Sequence, residues 1–175
     1  LPVLLAEYRF YGKESVDTYL GLLEQIDVYY GELLDFERKK AEAGLFMSDR
    51  MADQVIAACR AYLGEAEGSQ LDQSFQERLE EVPGISGEEK EVYLAENRRL
   101  LDAHFIPAYK KLAEGLEALK GSGTNDLGLY YYPEGRTYYE YLVEHSIYPS
   151  FTTVNELRQA VEEQLEADLD AMYSV

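Results

Sequence analysis

The sequence predicts an all-α protein of six to seven helices, with long antiparallel helices, a tyrosine-rich loop and no substantial sheet. Two observations carry this prediction. Apolar residues recur three or four positions apart through most of the chain, which is the period of one helix face, and no strand alternation extends beyond a few residues. The 175 residues are also short enough for one domain. Residues 1–175 are therefore expected to form a single helical domain.

The first long helix is predicted from Ser15 to about Ala43, ending at Gly44, with a break near Ile26-Asp27 as an alternative. Its apolar face comprises Val16, Leu20, Leu23, Tyr30 and Leu34. Ser48-Asp49 then offers an N-terminal cap for a second helix, whose predicted apolar residues are Met51, Val55, Ala58 and Tyr62.

A loop over residues 64–69 leads to a short acidic helix predicted from Leu71 to Glu81, which Pro83-Gly84 closes. The longest element is predicted from about Glu88 to Lys120. Ser86 and Glu89 have the spacing of a capping box at its start, and its apolar stripe comprises Leu94, Leu101, Phe105, Ala108, Leu112, Leu116 and Leu119.

Pro107 interrupts this longest element. Proline removes one backbone donor, so a kink is expected near Ala103 and His104. Two separate helices are the alternative interpretation.

Residues 121–135 form the clearest non-helical stretch, in which Tyr130-Tyr131-Tyr132 is compatible with a short extended piece. A helix follows from about Arg136 to His145. The last helix starts at Thr152 or Thr153 and carries Val154, Leu157, Val161, Leu165, Leu169 and Met172. This helix contains six acidic residues and one base, Arg158. Calcium binding needs a loop that wraps oxygens around the ion, which a straight helix cannot do, so the acids are interpreted as a solvated surface.

Charge and cysteine content exclude several classes of function. Acids outnumber bases 34 to 16, giving a net charge of −18, and such a surface repels nucleic acid and anionic membranes. A single cysteine excludes an internal disulfide and a cysteine-based zinc knuckle. No run of about 20 apolar residues is present, so no membrane insertion is expected.

Familiar catalytic motifs are missing from these residues. The only two histidines, His104 and His145, begin neither the His-Glu-x-x-His motif of zinc peptidases nor the Glu-x-x-His pairs of di-iron bundles. Cys59 is interpreted as a packed thiol, and His104 as a histidine at the kink rather than a ligand. We therefore predict no catalytic residue, no metal ligand and no cofactor within residues 1–175.

Tyrosine is the unusual component, with 16 Tyr and no Trp. Seven of these crowd one stretch: Tyr130, Tyr131, Tyr132, Tyr138, Tyr139, Tyr141 and Tyr148. Tyr combines an apolar face with a hydroxyl that needs a partner, which suits both a recognition surface and a wet helix–helix seam. In the seam, Tyr138 and Leu142 would pack inward.

As a recognition surface, the stretch gives five candidate substrate-binding residues: Tyr131, Tyr132, Arg136, Tyr138 and Tyr139. Arg136 could hold a carboxylate through two hydrogen bonds, or offset nearby acids. Adjacent helical residues point about 100° apart. We therefore expect one of Tyr138 and Tyr139 to be buried and the other to face a cleft.

Three stretches of the chain resemble a large bacterial family, domain of unknown function 885. They are Leu1-Pro2-Val3-Leu4-Leu5-Ala6-Glu7-Tyr8 continuing to Tyr19-Leu20-x-Leu22-Leu23, Phe36-Glu37 through Ala43-Gly44-Leu45-Phe46-Met47-Ser48-Asp49, and Gly128-Leu129 followed by Pro133-x-Gly135-x-x-Tyr138-Tyr139-x-Tyr141-Leu142. The segment Asp27–Tyr30 departs from the family, which has a proline there, and this favours a continuous helix.

The resemblance implies a helical, zincin-type metallopeptidase, exported or lipid-anchored, with zinc in the full-length protein. The family's metal motif, a His-Glu pair followed by Pro-Gly-His-His, lies downstream of the Tyr-Tyr segment and matches nothing here. This chain is thus expected to be a fragment of a longer protein, inactive alone, that scaffolds or lines the cleft of a peptidase. Its expected partners are the remainder of its polypeptide and a peptide substrate. The alternative is a stand-alone helical module that binds peptide or glycan through its tyrosines.

Overall fold

The computed structural model describes residues 1–146, 151 and 153–173. Helices account for the regular structure and no strand occurs within these residues, which confirms the predicted all-α class. The chain divides into two compact units, Leu1–Thr124 and Asn125–Val175. The single domain over residues 1–175 stays a prediction.

The first unit contains seven described α-helices. They are α1 (Pro2–Ala6), α2 (Lys13–Glu24), α3 (Ile26–Glu42), α4 (Asp49–Arg60), α5 (Gln70–Glu80), α6 (Gly87–Leu100) and α7 (Ile106–Leu119). The sequence prediction missed α1. The long first helix is broken at Gln25 between α2 and α3, one residue before the predicted alternative break.

The core of the first unit forms around α7, which packs against α3 and α4. The predicted apolar faces of α2, α3 and α7 supply much of this core, including Val16, Leu23, Leu34, Leu112 and Leu116. The hydroxyl of buried Tyr30 on α3 donates a 2.7 Å hydrogen bond to the hydroxyl of Tyr109 on α7. Burial raises the pKa of both phenols.

The buried face of α4 differs by one residue from the predicted face. Ala52, Ile56 and Cys59 are buried, whereas Met51 and Ala58 are exposed. Small or apolar residues fill both registers of this helix, so periodicity alone does not distinguish them. Cys59 is a buried free thiol, and burial raises its pKa.

A π-helical turn, Leu101–Phe105, joins α6 to α7. It lies at the position where the sequence predicted a kink, and the chain stays helical through it. Pro107 has no N–H for the carbonyl of Ala103, and its ring would crowd that carbonyl, so a wider turn relieves the conflict. His104 lies in this turn, with Nδ1 3.6 Å from a carboxylate oxygen of Asp27.

The second unit contains a 3₁₀ turn (Leu129–Tyr131), α8 (Gly135–Ser146) and α9 (Val154–Tyr173). The helix predicted over 136–145 is confirmed within one residue at each end. Residues 129–131 form a 3₁₀ turn rather than an extended piece. Thr153 caps α9, since its hydroxyl accepts from the Glu156 N–H at 3.2 Å and its own N–H donates to the Glu156 carboxylate at 3.1 Å. Tyr148 and the alternative start at Thr152 lie outside the described residues.

Candidate functional site

Two glycines set the backbone of the tyrosine-rich segment. Gly128 has a φ of 102°, a conformation that favours glycine, and it directly precedes the 3₁₀ turn. A Cβ on Gly135 would lie 1.7 Å from the carbonyl oxygen of Leu129. The start of α8 can therefore approach the 3₁₀ turn only with glycine at this position, and this approach brings Tyr130 beside the first residues of α8.

A cleft of about 720 Å³ lies in the second unit, beside α8 and the start of α9. Its walls combine three phenol rings with charged and amide groups. The lining residues are Tyr130, Arg136, Thr137, Tyr139, Glu140, Tyr141, Glu144, Thr153, Val154 and Asn155.

Two of the five predicted site residues, Arg136 and Tyr139, line this cleft. Tyr131, Tyr132 and Tyr138 do not line it. Tyr131 instead packs edge-to-face against Tyr130, with ring centroids 5.4 Å apart. Whether any of the five binds a substrate stays a prediction.

The sequence prediction missed several of the lining residues. Thr137, Glu140 and Glu144 were not proposed, and neither was the segment 153–155. Glu140 and Glu144 follow Arg136 at spacings of four and eight residues, so all three lie on one face of α8. That spacing was the available signal. The contribution of α9 depends on tertiary structure and has no local signal.

The expectation for Tyr138 and Tyr139 is wrong, because neither is buried. Their exposed fractions are 51% and 49%. Gly135 and Val143 are the buried residues of α8. Tyr139 lies four residues from each of them, on the same side of the helix, and is still half exposed, whereas Tyr138 points about 100° away from that side. The seam interpretation, in which Tyr138 packs inward, is therefore also wrong.

The charged groups of the cleft are accessible. Nε of Arg136 donates to a carboxylate oxygen of Glu140 at 3.1 Å, and both side chains are more than half exposed. Such exposed i, i+4 pairs contribute only a few tenths of a kcal/mol. Arg136 can therefore exchange Glu140 for a ligand carboxylate at little cost.

A row of stacked aromatic rings follows α8 beside the cleft. The Tyr138 and Tyr141 rings lie 6.3 Å apart at an interplanar angle of 19°, and the Tyr141 and His145 rings lie 4.1 Å apart at 26°. Nδ1 of His145 is 2.9 Å from the Tyr141 carbonyl oxygen, which fixes the imidazole against the ring. All three rings are exposed. The row offers a flat aromatic platform.

A family model described as "Bacterial protein of unknown function (DUF885)" matches residues 1–175. The chain belongs to the DUF885 family. No curated protein matches it significantly.

The fold of this DUF885 chain is similar to that of a solved structure, described as "the crystal structure of the putative lipoprotein from Colwellia psychrerythraea". The TM-score is 0.76, and the similarity covers 82% of this chain at 19% sequence identity. At that identity the similarity shows a shared fold alone. The chain spans 25% of the length of that lipoprotein chain.

The residues described for this DUF885 chain do not fit a metal centre. Within residues 1–146, 151 and 153–173, no group of three or more His, Cys, Asp or Glu could hold a metal ion. Over the same residues, no helix is both long enough and apolar enough to cross a membrane.

Proposed function

We propose that this DUF885 chain is the non-catalytic helical portion of a zinc-dependent peptidase and that it lines the substrate cleft. The observation that carries the proposal is the tyrosine-lined cleft with Arg136 at its wall. Zinc and the catalytic residues would belong to the remainder of the polypeptide, because the described residues here do not fit a metal site. The lipoprotein with a similar fold is about four times as long as the region that matches, which supports a longer whole protein.

The cleft has the chemistry to hold a peptide. Tyr130, Tyr139 and Tyr141 present flat apolar rings whose contact costs little side-chain entropy. Arg136 can donate two parallel hydrogen bonds to a carboxylate of the substrate. Glu140 and Glu144 can accept from amide or ammonium groups. These roles position a substrate and break no bond.

We also propose that the whole protein is exported or anchored by a lipid. The support is the description of the structural neighbour as a lipoprotein.

The first test is the zinc-to-protein ratio of the intact gene product, measured together with peptide hydrolysis before and after chelation. One zinc per polypeptide and hydrolysis lost on chelation are the expected results. An intact protein that holds no zinc and cleaves no peptide would rule out the peptidase proposal.

The role of the cleft is tested separately with Tyr139→Phe and Arg136→Gln in the intact protein. Removing a hydrogen-bond donor that contacts substrate is expected to raise KM by about 5- to 30-fold, equivalent to roughly 1–2 kcal/mol. Tyr11→Phe is the matched control, since Tyr11 is an exposed tyrosine of the first unit. Equal KM values for all variants would show that the cleft does not bind substrate.

A second candidate function is a helical binding module for peptide or glycan. The stacked row of Tyr138, Tyr141 and His145 favours it, because exposed stacked rings bind flat faces of ligands. Tyr138→Ala separates the two candidates, since Tyr138 belongs to the row and not to the cleft. Three results together would favour the binding module. Tyr138→Ala would lose peptide or glycan binding, Tyr11→Ala would retain it, and the intact protein would contain no zinc.

A further inference from the structure

Within the second unit, α9 carries an apolar stripe that is half-buried at Val154 and Leu157 and exposed from Val161 to Met172. The stripe comprises Val154, Leu157, Val161, Leu165, Leu169 and Met172, and no residue of α9 is buried. Val161, Leu165, Leu169 and Met172 are 58%, 56%, 41% and 74% exposed. A helix of 20 residues is about 30 Å long, so the stripe has the length of a full helix–helix seam.

Acidic residues border this stripe. At 100° per residue, Glu162 lies along one edge and Asp168 along the other. Arg158 lies on the same edge as Glu162 and pairs with it, with Nε 3.3 Å from a carboxylate oxygen. From Glu162 to the end of α9 there are five acids and no base: Glu162, Glu163, Glu166, Asp168 and Asp170. The carbonyl groups at the C-terminal end of the helix add a partial negative charge. A helix that docks on the second half of α9, beyond the pair of Arg158 and Glu162, therefore meets a net negative charge.

Charge argues against a second copy of this chain as the occupant. A symmetric pair of α9 helices would bring together two helices that each carry six acids and one base, in a chain whose net charge is already −18. Like charges across an interface oppose association. The complementary partner is a helix with an apolar face bordered by Lys and Arg, as in the edge pairing of coiled coils.

We infer that the apolar stripe of α9 is the docking face for a basic amphipathic helix of the same polypeptide, outside residues 1–175. This inference rests on the proposed function in taking the chain as part of a longer protein. The same polypeptide is the chosen source because the lipoprotein that shares this fold is about four times as long as the matched region. Such a helix would bury the stripe and neutralise its acidic edges together.

Photo-crosslinking in the intact gene product tests the inference. A benzoylphenylalanine replaces Leu165 on the stripe, and a matched control places it at Glu163, about 160° around the helix. The expected result is a crosslink from position 165 to a Lys- or Arg-containing segment of the same polypeptide beyond residues 1–175, with no such crosslink from position 163. The inference would be overturned by a crosslinked dimer or by a crosslink to another protein. It would also be overturned by a crosslink to residues 1–146 or to a segment without bases, or by equal yields at both positions.

A second measurement keeps the stripe intact. Asp168→Lys places a positive charge at the edge of the seam, and Glu163→Lys makes the same change of charge on the opposite face. The expected result is faster amide hydrogen exchange along α9 in Asp168→Lys, and unchanged exchange in Glu163→Lys. Equal rates of amide hydrogen exchange in the two variants would show that the charge at the edge of the stripe does not contribute to docking. Both readouts are independent of zinc content, so the docking inference can fail while the peptidase proposal stands, and the reverse.

Discussion

Asp72 shows how one buried charge ties distant segments of the first unit together. It lies on α5 and is 2% exposed. Its carboxylate accepts from Nε of Arg98 at 3.0 and 3.1 Å, from the Gly68 N–H at 3.0 Å and from the Asn97 side chain at 3.3 Å. It therefore joins the loop before α5 to the end of α6. A buried carboxylate of this kind is tolerated because its oxygens are satisfied.

We predict that Asp72→Asn lowers the free energy of unfolding by about 2–3 kcal/mol, because the change removes the buried one of the two carboxylates that pair with Arg98 and converts an acceptor oxygen to a donor. Asp53→Asn is the matched control. Asp53 is exposed and pairs with Lys120 at 2.5 Å, and exposed pairs contribute about 0–1 kcal/mol. Urea denaturation of the three proteins measures the difference. Similar losses in both variants would contradict a special role for the buried pair.

The sequence could not have singled out Asp72. Aspartate is mostly exposed in proteins, and its partner Arg98 is 26 residues away on another helix. Arg136 and Tyr139 were predictable as cleft residues, because the clustering of tyrosines around one base is local. Tyr138 was assigned to the same site for the same reason. Its actual direction depends on which side of α8 is buried, and Val143 decides that through tertiary packing.

At the level of the helix, α6 begins with the capping box that the sequence predicted. The Ser86 hydroxyl accepts from the Glu89 N–H at 3.2 Å, and the Glu89 carboxylate accepts from the Ser86 N–H at 2.9 Å. Nζ of Lys13 also donates to Glu89 at 2.5 Å. The hydrogen bond from Lys13, followed by those from Ser86, lowers the pKa of Glu89 from 4.5 to about 2. The cap is local and was predictable, whereas Lys13 lies 76 residues away and was not.

Because the folded state lowers the pKa of Glu89, its stabilising effect is complete above pH 4.5 and declines as the pH falls towards 2. We predict that Glu89→Gln is less stable than the parent at pH 7 and that the difference shrinks between pH 4.5 and 2. Urea denaturation at a series of pH values measures it. Glu88→Gln makes the same charge change in the same turn and serves as the control. A difference that grows on acidification would contradict the assignment.

The contact between α3 and α7 depends on a helical glycine. A Cβ on Gly115 would lie 2.5 Å from one methyl carbon of buried Leu34 and 3.0 Å from the other. Gly31, in the middle of α3, has nothing within 4 Å of its Cβ position. Close packing therefore leaves no room for a larger side chain at position 115, whereas position 31 has room for one. The sequence alone does not distinguish the two glycines.

We predict opposite effects of alanine at these two positions. Gly31→Ala is expected to stabilise the protein by about 0.5–1 kcal/mol, the ordinary gain from replacing glycine in a helix. Gly115→Ala is expected to destabilise it by about 1–3 kcal/mol, since the new methyl group overpacks Leu34. Thermal unfolding of the two variants measures the sign of each change. Stabilisation by Gly115→Ala would show that the Leu34 side chain accommodates the new methyl group at little cost.

At the scale of the whole chain, the buried apolar residues are unevenly distributed. Every member of the main hydrophobic cluster described, from Leu5 to Leu116, belongs to the first unit. In the described part of the second unit, Gly135 and Val143 are the buried residues of α8, and α9 has none. The helical spacing of apolar residues predicts the helices of both units equally well. They cannot show which apolar stripe finds a partner, because that depends on contacts between segments far apart in the chain.

This distribution predicts different behaviour for the two units when they are produced separately. Residues 1–124 are expected to unfold cooperatively in urea, because a buried core supplies the dominant favourable term in folding. Residues 125–175 are expected to lose helicity gradually with heating, since exposed apolar stripes contribute little and most of the stability of a protein helix comes from tertiary packing. Circular dichroism during urea and thermal unfolding measures both. A sharp cooperative transition in residues 125–175 would show that the second unit has a sufficient core of its own, and would remove the need for a covering helix on α9.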